Sequence, residues 1–567
     1  MREGTLYRYE PLKPRGKEIR VFILYPGLFL DDVVAEIRHV ELGRSKYEAL
    51  SYTWGPANQD HGKIYLQQCA LCDSDGLGAL PFVNVRSTLL TALRYLRLPT
   101  VPRVLWIDSV CVDQENLVER NREVARMGEI YNKAEQVIVW LGPDDDDTPV
   151  AMETIKFLSE GVIMEWHRRL FTTVPGSEAD LLRTRSDQST LTLAQWTALR
   201  SLLTRPWFTR LWVRQEVALA SRVVVVCGGF QAAWEDVEKV AILLEHSSTR
   251  VHIRLRDILF VRSLFQFQGS DELSYILHRS SFCGYSDASD LVYANLSTSS
   301  AIKALRVEPN YDMSVAAVYK DLTIQYMQHF GNLDILRSCG SRDLPPDFES
   351  FVPDFAVAKS ESRLVNEYAH GGTRHLPVIA EGGITLKLEG KYIGKVSHVS
   401  KFRRPLATGY ADRDKIIDII MTYRRWEPAD LFTAPYPTGG TLFDAFIALL
   451  AGGSYREVYG GPHYPTKEEA KEAFLAVVWS GGHADMVAES RFWGYIGEIT
   501  SDRRGEHYFR TREGHVGTTP GDVQTGDIIC RWERHKTGAT SSWDLATSRV
   551  SCLEKRCLGR FQNHGYA

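Results

Sequence analysis

A chain of 567 residues is too long for one compact core, so several structural units are expected. Its hydrophobic content of 44% and aromatic content of 11% exclude a disordered polymer. A net charge of −4 with no long basic stripe gives no reason to expect nucleic acid or an acidic membrane as partner. The nine cysteines are odd in number, scattered, and mostly set in apolar runs such as VVVVCGGF and GDIICRW. That pattern predicts buried reduced thiols, not a disulfide framework. The opening residues, MREGTLYRYEPLKPRGKEIR, hold no apolar core that would serve as a signal peptide. LFDAFIALLAGG is interrupted by Asp444 and too short to span a bilayer, so a cytoplasmic protein without transmembrane segments is expected.

EIRVFILYPG (18–27) reads as a strand closed by a Pro-Gly turn, and YEALSYTWGP (47–56) as a second strand closed by Gly55 and Pro56. NVRSTLLTALRYLRL places Leu89, Leu90, Leu93 and Leu96 at helical spacing. RVLWID (103–108) is a short β-rich run that breaks at Asp108. A long helix is expected from Glu115 to Glu135. Leu117, Val118, Val124, Met127, Tyr131 and Ala134 would form its apolar side, and Glu119, Arg120, Arg122 and Glu123 would face water. QVIVWLG (136–142) is another buried strand ending at a glycine. Strand, helix and strand in this order make a βαβ unit, so a doubly wound parallel sheet, α/β in class, is predicted for residues 1 to about 230.

PDDDDTP (143–149) lacks the alternating oxygen ligands, glycine and distal Glu of a calcium loop and reads as a solvated loop, with Thr148 and Pro149 starting a helix. RPWFTRLWVRQEVALA (205–220) reads as one amphipathic helix with Glu216 one turn past Trp212, and RVVVVCGGF (222–230) as a buried strand. Residues 250–335 look mainly helical, as in SVAAVYKDLTIQYMQHF. SRDLPPDFESFVPDF (341–355) suits a connection, and the last third turns β-like in RFWGYIGEI, HYFRTREGHVG and GDIICRW.

No Walker-type or dinucleotide-type glycine loop, paired-His zinc helix or Gly-x-Ser-x-Gly turn is present. Cys69 and Cys72 stand at metal spacing, but the other close pair, Cys552 and Cys557, is remote in sequence, so no metal site is expected. What remains is a set of aromatic and polar residues at predicted strand ends: Trp54, Asp108, Asp113 and Gln114. In open α/β sheets ligands bind outside the carboxyl ends of the strands. Taken singly, each has a structural explanation, with Asp113 as a helix cap and Trp54 as core. As a group they form a candidate site. Glu216 beside indoles has the same two readings, a prepared acid or base or an ion-pair partner of Arg210 or Arg214, although neither arginine stands four residues away.

Three blocks together resemble the fungal heterokaryon incompatibility (HET) domain: YEALSYTWG, LWIDSVCVDQENLVERNREVARMGEIYNKAEQVIVWLG and RPWFTRLWVRQEVALA. The resemblance covers about residues 44 to 220, with EIRVFILYPG as its usual lead-in and FVPDF and GDIICRW as weaker downstream matches. The tail KTGATSSWDLATSRVSCLEKRCLGRFQNHGYA departs from the family pattern, which often continues with a further glycine-containing β segment. The organisation expected is therefore a lead-in strand (1–43), a HET domain (44–230), a mainly helical region (231–355) and an α+β region with a β-rich end (356–567). The resemblance implies non-self recognition in filamentous fungi, an allorecognition form of innate immunity in which fusion of incompatible strains triggers programmed cell death. HET domains are distantly similar to Toll/interleukin-receptor (TIR) domains, which implies a flavodoxin-like sheet. RLWVRQE would then correspond to the TIR Trp-Cys-x-x-Glu segment, with Val213 in place of the Cys and Glu216 in place of the glutamate that is catalytic in NAD-cleaving members.

Two functions follow from that resemblance. In the first, the domain signals by self-assembly or by contact with protein partners, with the tryptophans as core or interface anchors. In the second it is an NAD+ glycohydrolase: Glu216 is the catalytic carboxylate, Trp54 or Trp212 stacks on a ring, Asp108 orients the ribose, and Asp113 lies in the adjoining loop. No cofactor is expected in either case, NAD+ entering only as substrate.

Overall fold

The computed structural model describes residues 5–13, 16–56, 60–67, 80–166, 170–184, 189–246, 273–331, 333–339, 345, 347–349 and 351–357. In the C-terminal part it describes 378–380, 385–387, 390–403, 421–451, 466–479, 507–519 and 523–532. The segment RFWGYIGEI, the Cys69/Cys72 and Cys552/Cys557 pairs and the C-terminal tail lie outside the described residues. The chain divides into two compact units, Met1–Val318 and Tyr319–Ala567.

In the N-terminal unit the strands β1 (Glu18–Leu24), β2 (Val34–Glu41), β3 (Glu48–Tyr52), β4 (His61–Leu66), β5 (Phe82–Arg86), β6 (Arg103–Trp106) and β7 (Val137–Trp140) join one mixed sheet. β8 (Val162–Glu165) and β9 (Leu170–Thr173) form a separate hairpin, and β10 (Val223–Cys227) with β11 (Phe230–Ala233) completes the large sheet. Its order is β11-β10-β7-β3-β6-β1-β2-β4-β5. The middle is parallel: β3 pairs with both β6 and β7, and β7 pairs with β10. Numbered along the chain, these four strands stand in the order 2-1-3-4 of the doubly wound, flavodoxin-like arrangement. On the far side of β6 the sheet turns antiparallel through β1 and β2.

The sequence explains these positions. β7, Val-Ile-Val-Trp, is buried along its whole length, as a strand flanked by two parallel neighbours and covered on both faces must be. Gly142, at φ +112°, turns the chain out of it. Helix α1 (Ser87–Leu96) buries Leu89, Ala92, Leu93 and Leu96, and α2 (Asp108–Cys111) is a single turn directly after β6. Helix α3 (Leu117–Lys133) is capped by Asn116, whose side chain accepts from the Glu119 amide, so Asp113 is not the cap.

Met127 and Tyr131 of α3 and Ala134 just after it are buried as expected, and Val124 packs against the core, but the N-terminal part of the helix differs from the expected face. Val118 is 79% exposed, whereas Glu119 and Glu123 are buried. The cause is Arg20, a buried charge in β1. It forks onto Glu119 at 2.5 and 3.1 Å and also donates to the carbonyls of Glu10 and Cys111. Glu123 is held by Arg122 at 3.1 Å and Arg126 at 2.9 Å. Charge pairing, which a hydrophobic period does not register, decides which side chains of the N-terminal half of this helix are buried.

Helices α4 (Thr148–Glu160), α5 (Glu178–Thr184) and α6 (Leu193–Leu203) follow, α6 opening on a capping box between Thr192 and Gln195. The stretch 205–220 is not one helix. It forms a 3-10 turn (Pro206–Thr209), a bend, and a short α7 (Val213–Ala218). The break is a β-bridge: Arg210 lies beside Gly284, which accepts from the Leu211 amide and donates to the Thr209 carbonyl. Helix α8 (Trp234–His246) packs on the sheet, and the helices Leu273–Ser280, Asp290–Tyr293 and Ser300–Ala304 make up the helical part beyond it.

In the C-terminal unit, β12 (Val378–Ala380) and β13 (Thr385–Lys387) pair with each other. β14 (Gly390–Arg403), β15 (His507–Thr511), β16 (Val516–Thr519) and β17 (Ile528–Trp532) form an antiparallel sheet in the order β16-β15-β14-β17. An apolar helix, Leu442–Ala451, and the capped helix Lys467–Phe474 share a core with Tyr508 of β15.

Candidate functional site

In the order 2-1-3-4 the winding reverses at β3, so the crevice for a ligand is expected beyond the carboxyl ends of β3 and its neighbours. The segment 205–216 lies at that edge. Arg205 donates to the carbonyls of Leu141 and Pro143 just past β7, at 3.3 and 2.7 Å. Arg210 donates to the Tyr52 carbonyl at the end of β3. Between these anchors, the Trp207 indole N–H donates to Ser51 Oγ at 2.8 Å, and the Ser51 hydroxyl donates to Glu216 Oε2. Because the indole occupies a lone pair of Ser51, the serine proton is directed at the carboxylate. Ser51, Trp207 and Glu216 are all buried, Glu216 being 1% exposed.

Burial is the main influence on Glu216 and lifts its carboxyl pKa from 4.5 to about 7. Arg210 and the Ser51 hydroxyl pull it down, and the neighbouring Asp108 pushes it up. Arg210 therefore does reach Glu216 electrostatically from six residues away, because the bend at 210–212 folds the chain back where a continuous helix would have separated them. Tyr131 of α3 is also in the field of Glu216 and Asp108, and donates to the Leu50 carbonyl at 3.4 Å.

Asp108 sits half-buried at the start of α2. It accepts from the Trp54 indole at 3.0 Å and from the Ser109 amide at 2.7 Å. Its carboxyl is raised by burial, against the Arg210 charge. Gln114 donates to the Asp108 carbonyl at 2.9 Å, and Tyr52 and Ser109 share a hydroxyl hydrogen bond of 2.6 Å. Trp54 and Asp108 are thus joined, and Asp108 lies in the field of Arg210 and Glu216.

The other two candidates lie elsewhere. The Asp113 amide donates to Glu119 and its side chain accepts from the Glu115 amide, placing it with the Arg20 pair. Trp212 is half-buried and hydrogen-bonds Asp290 in the helical part; Asp290 also accepts from Tyr311 at 2.7 Å. Burial raises the Asp290 carboxyl to about 6. Ser51, the centre of the hydrogen-bond chain, is absent from the sequence-based candidates. Its signal was present: it is a small polar residue placed between Leu50 and Tyr52 in the buried run of β3.

Among the described residues no helix is long and apolar enough to cross a membrane. The family described as heterokaryon incompatibility protein (HET) matches residues 47–216, which begin at β3 and end on Glu216. The chain is similar to heterokaryon incompatibility protein 6, OR allele, of Neurospora crassa, 25% identical over 460 residues covering 69% of this chain. That match spans 66% of the relative's own length, just under two thirds. No solved structure matches. Strands β3, β6 and β7, helix α3 and the Trp207–Glu216 segment thus lie within the part that matches the HET family, and over much of its length the chain is similar to a fungal heterokaryon incompatibility protein.

Proposed function

We propose that this protein acts in heterokaryon incompatibility and that its HET domain passes the signal toward programmed cell death by contact, through self-assembly or a protein partner. The observation that carries this reading is the burial of Glu216. Its carboxylate is engaged by Ser51, which also accepts from the indole of the fully buried Trp207. A carboxylate enclosed in this way serves to fix the 205–216 segment against the sheet, giving partners a rigid surface.

A second reading, NAD+ glycohydrolysis, is favoured by a specific observation: a carboxyl with a pKa of about 7 beside Asp108 and Arg210 at a topological switch point. Cleavage would break the bond between ribose C1′ and the pyridinium nitrogen, releasing neutral nicotinamide. Water then adds at C1′ and a proton is lost. Ionised Glu216 would stabilise the positive charge that builds on the ribose, with Asp108 and Trp54 as ribose and ring contacts.

The two readings separate on one comparison, wild type against Glu216→Gln, scored for NAD+ loss by the concentrated protein and for cell death on expression. Contact signalling expects NAD+ untouched by both proteins and killing retained in the variant. NAD+ loss by the wild type alone, rising with pH through about 7, together with loss of killing in the variant, would overturn it in favour of the enzyme.

A further inference from the structure

A cleft of about 630 Å³ opens in the C-terminal unit, between β14, β15 and the segment 425–430. Arg425, Arg510, Arg512 and His398 line it, with the carboxylates of Asp430 and Glu427. Those carboxylates are already engaged. Asp430 takes both arms of Arg510, at 2.6 and 2.9 Å, and Glu427 pairs with Arg424 at 2.8 Å and accepts from the Trp479 indole at 3.1 Å. Arg425 lies over the Phe402 ring and Arg512 is exposed; neither guanidinium meets a carboxylate among the described residues. Two uncompensated positive charges therefore border one cleft.

A second, independent feature lies in its wall, the side chain of Tyr508. Tyr508 is 1% exposed, yet its hydroxyl has no hydrogen-bond partner among the described residues. A buried hydroxyl left unpaired is costly and calls for a reason. Tyr508 stands two residues before Arg510 on β15, so the two side chains leave the sheet on the same face. The hydroxyl also lies in the field of Arg510 and Asp430, in the cleft wall. Burial raises its pKa, so the phenol stays a proton donor. The ring is held between Trp426, stacked at 6.2 Å, and Phe446 at 5.7 Å.

We propose that this cleft binds a small polyanion, a molecule bearing neighbouring phosphate or carboxylate groups, with Arg425 and Arg512 as its charge partners and the Tyr508 hydroxyl as a donor. The volume suits a ligand of metabolite size, and a guanidinium group recognises phosphate and carboxylate alike. This site is independent of the HET-domain crevice and of the reading given to it.

The test is titration calorimetry of the full chain at low salt with inorganic pyrophosphate, ATP and citrate as probes. Saturable binding of at least one probe is expected, weakening as salt is raised. Binding by pyrophosphate and ATP alone identifies phosphate as the recognised group, and binding by citrate alone identifies carboxylate. Arg425→Ala and Arg512→Ala alter exposed side chains and should each weaken binding by about tenfold. Tyr508→Phe deletes only an unpaired hydroxyl, so it should weaken binding several-fold while leaving thermal stability equal or higher. The proposal is overturned if no probe binds at about 10 mM, or if the Arg425→Ala/Arg512→Ala double variant binds like wild type.

Discussion

Replacing Glu216 by glutamine should make the protein more stable at alkaline pH and leave it nearly unchanged in acid. The folded state raises the Glu216 carboxyl from 4.5 to about 7, chiefly by burial. A carboxyl that binds its proton more tightly when folded lowers stability as pH rises from about 4.5 to about 7, with no further change above that. At pH 8 the ionised group therefore costs the fold about 3 kcal/mol. Glutamine cannot ionise, and its carbonyl oxygen still accepts the Ser51 proton. Its amide N–H groups need a partner where a carboxylate oxygen stood, which offsets part of the gain. The net expectation is a variant more stable than wild type by about 1–3 kcal/mol at pH 8, the difference closing toward pH 5. Guanidinium denaturation of both proteins at the two pH values measures this. A difference that does not change with pH, or a variant weaker than wild type at pH 8, would refute the assignment of a buried, strained carboxylate.

Glu119→Ala leaves Arg20 buried without its counter-charge and should cost about 3–5 kcal/mol, whereas Arg20→Met combined with Glu119→Leu should recover much of that loss; denaturant midpoints of the three proteins decide. Burial alone would raise the Glu119 carboxyl, but the fork from Arg20 and the Asp113 amide outweigh it and hold it below the ordinary range. Its contribution is therefore present above about pH 4.5 and is lost as pH falls through the folded value, so Glu119→Gln should flatten the acid limb of the stability profile. Gly228→Ala should destabilise by about 2 kcal/mol, since the residue has φ +55° and an added Cβ would fall 2.5 Å from the Asp144 Cβ; a shift in thermal midpoint reads this, and an unchanged midpoint would contradict the left-handed turn between β10 and β11.

Much of the fold was legible because the parallel core announces itself in composition. Leu-Ser-Tyr, Val-Leu-Trp, Val-Ile-Val-Trp and Val-Val-Val-Val are short apolar runs with glycine, aspartate or proline just beyond them, and each became a strand of the central sheet. Less legible were β2, β4 and β5. Their sequences mix charged and apolar residues because they lie toward one side of the sheet, where one face meets water. Of the candidates named from strand ends and residue type, Trp54 is hydrogen-bonded to Asp108, and Asp108 lies in the field of Glu216, while Ser51 was hidden inside a strand that reads as core.

The sequence by itself determined the α/β class of the N-terminal part, the helical stretch beyond it, the β-rich end and the HET blocks, since each depends on local period, turn residues or a continuous motif. Only the tertiary structure decided that Glu119, and not Val118, turns inward on α3, because Arg20 reaches Glu119 across 99 residues of chain. It alone decided that the Trp207–Glu216 segment breaks in the middle, because Gly284, far along the chain, supplies the bridge. It alone also decided that Glu216 is enclosed by Ser51 and Trp207 while Trp212 turns away to Asp290. Those outcomes depend on long-range pairing of polar groups, which costs so much when left unmade that it overrides the local periodicity from which a sequence is read.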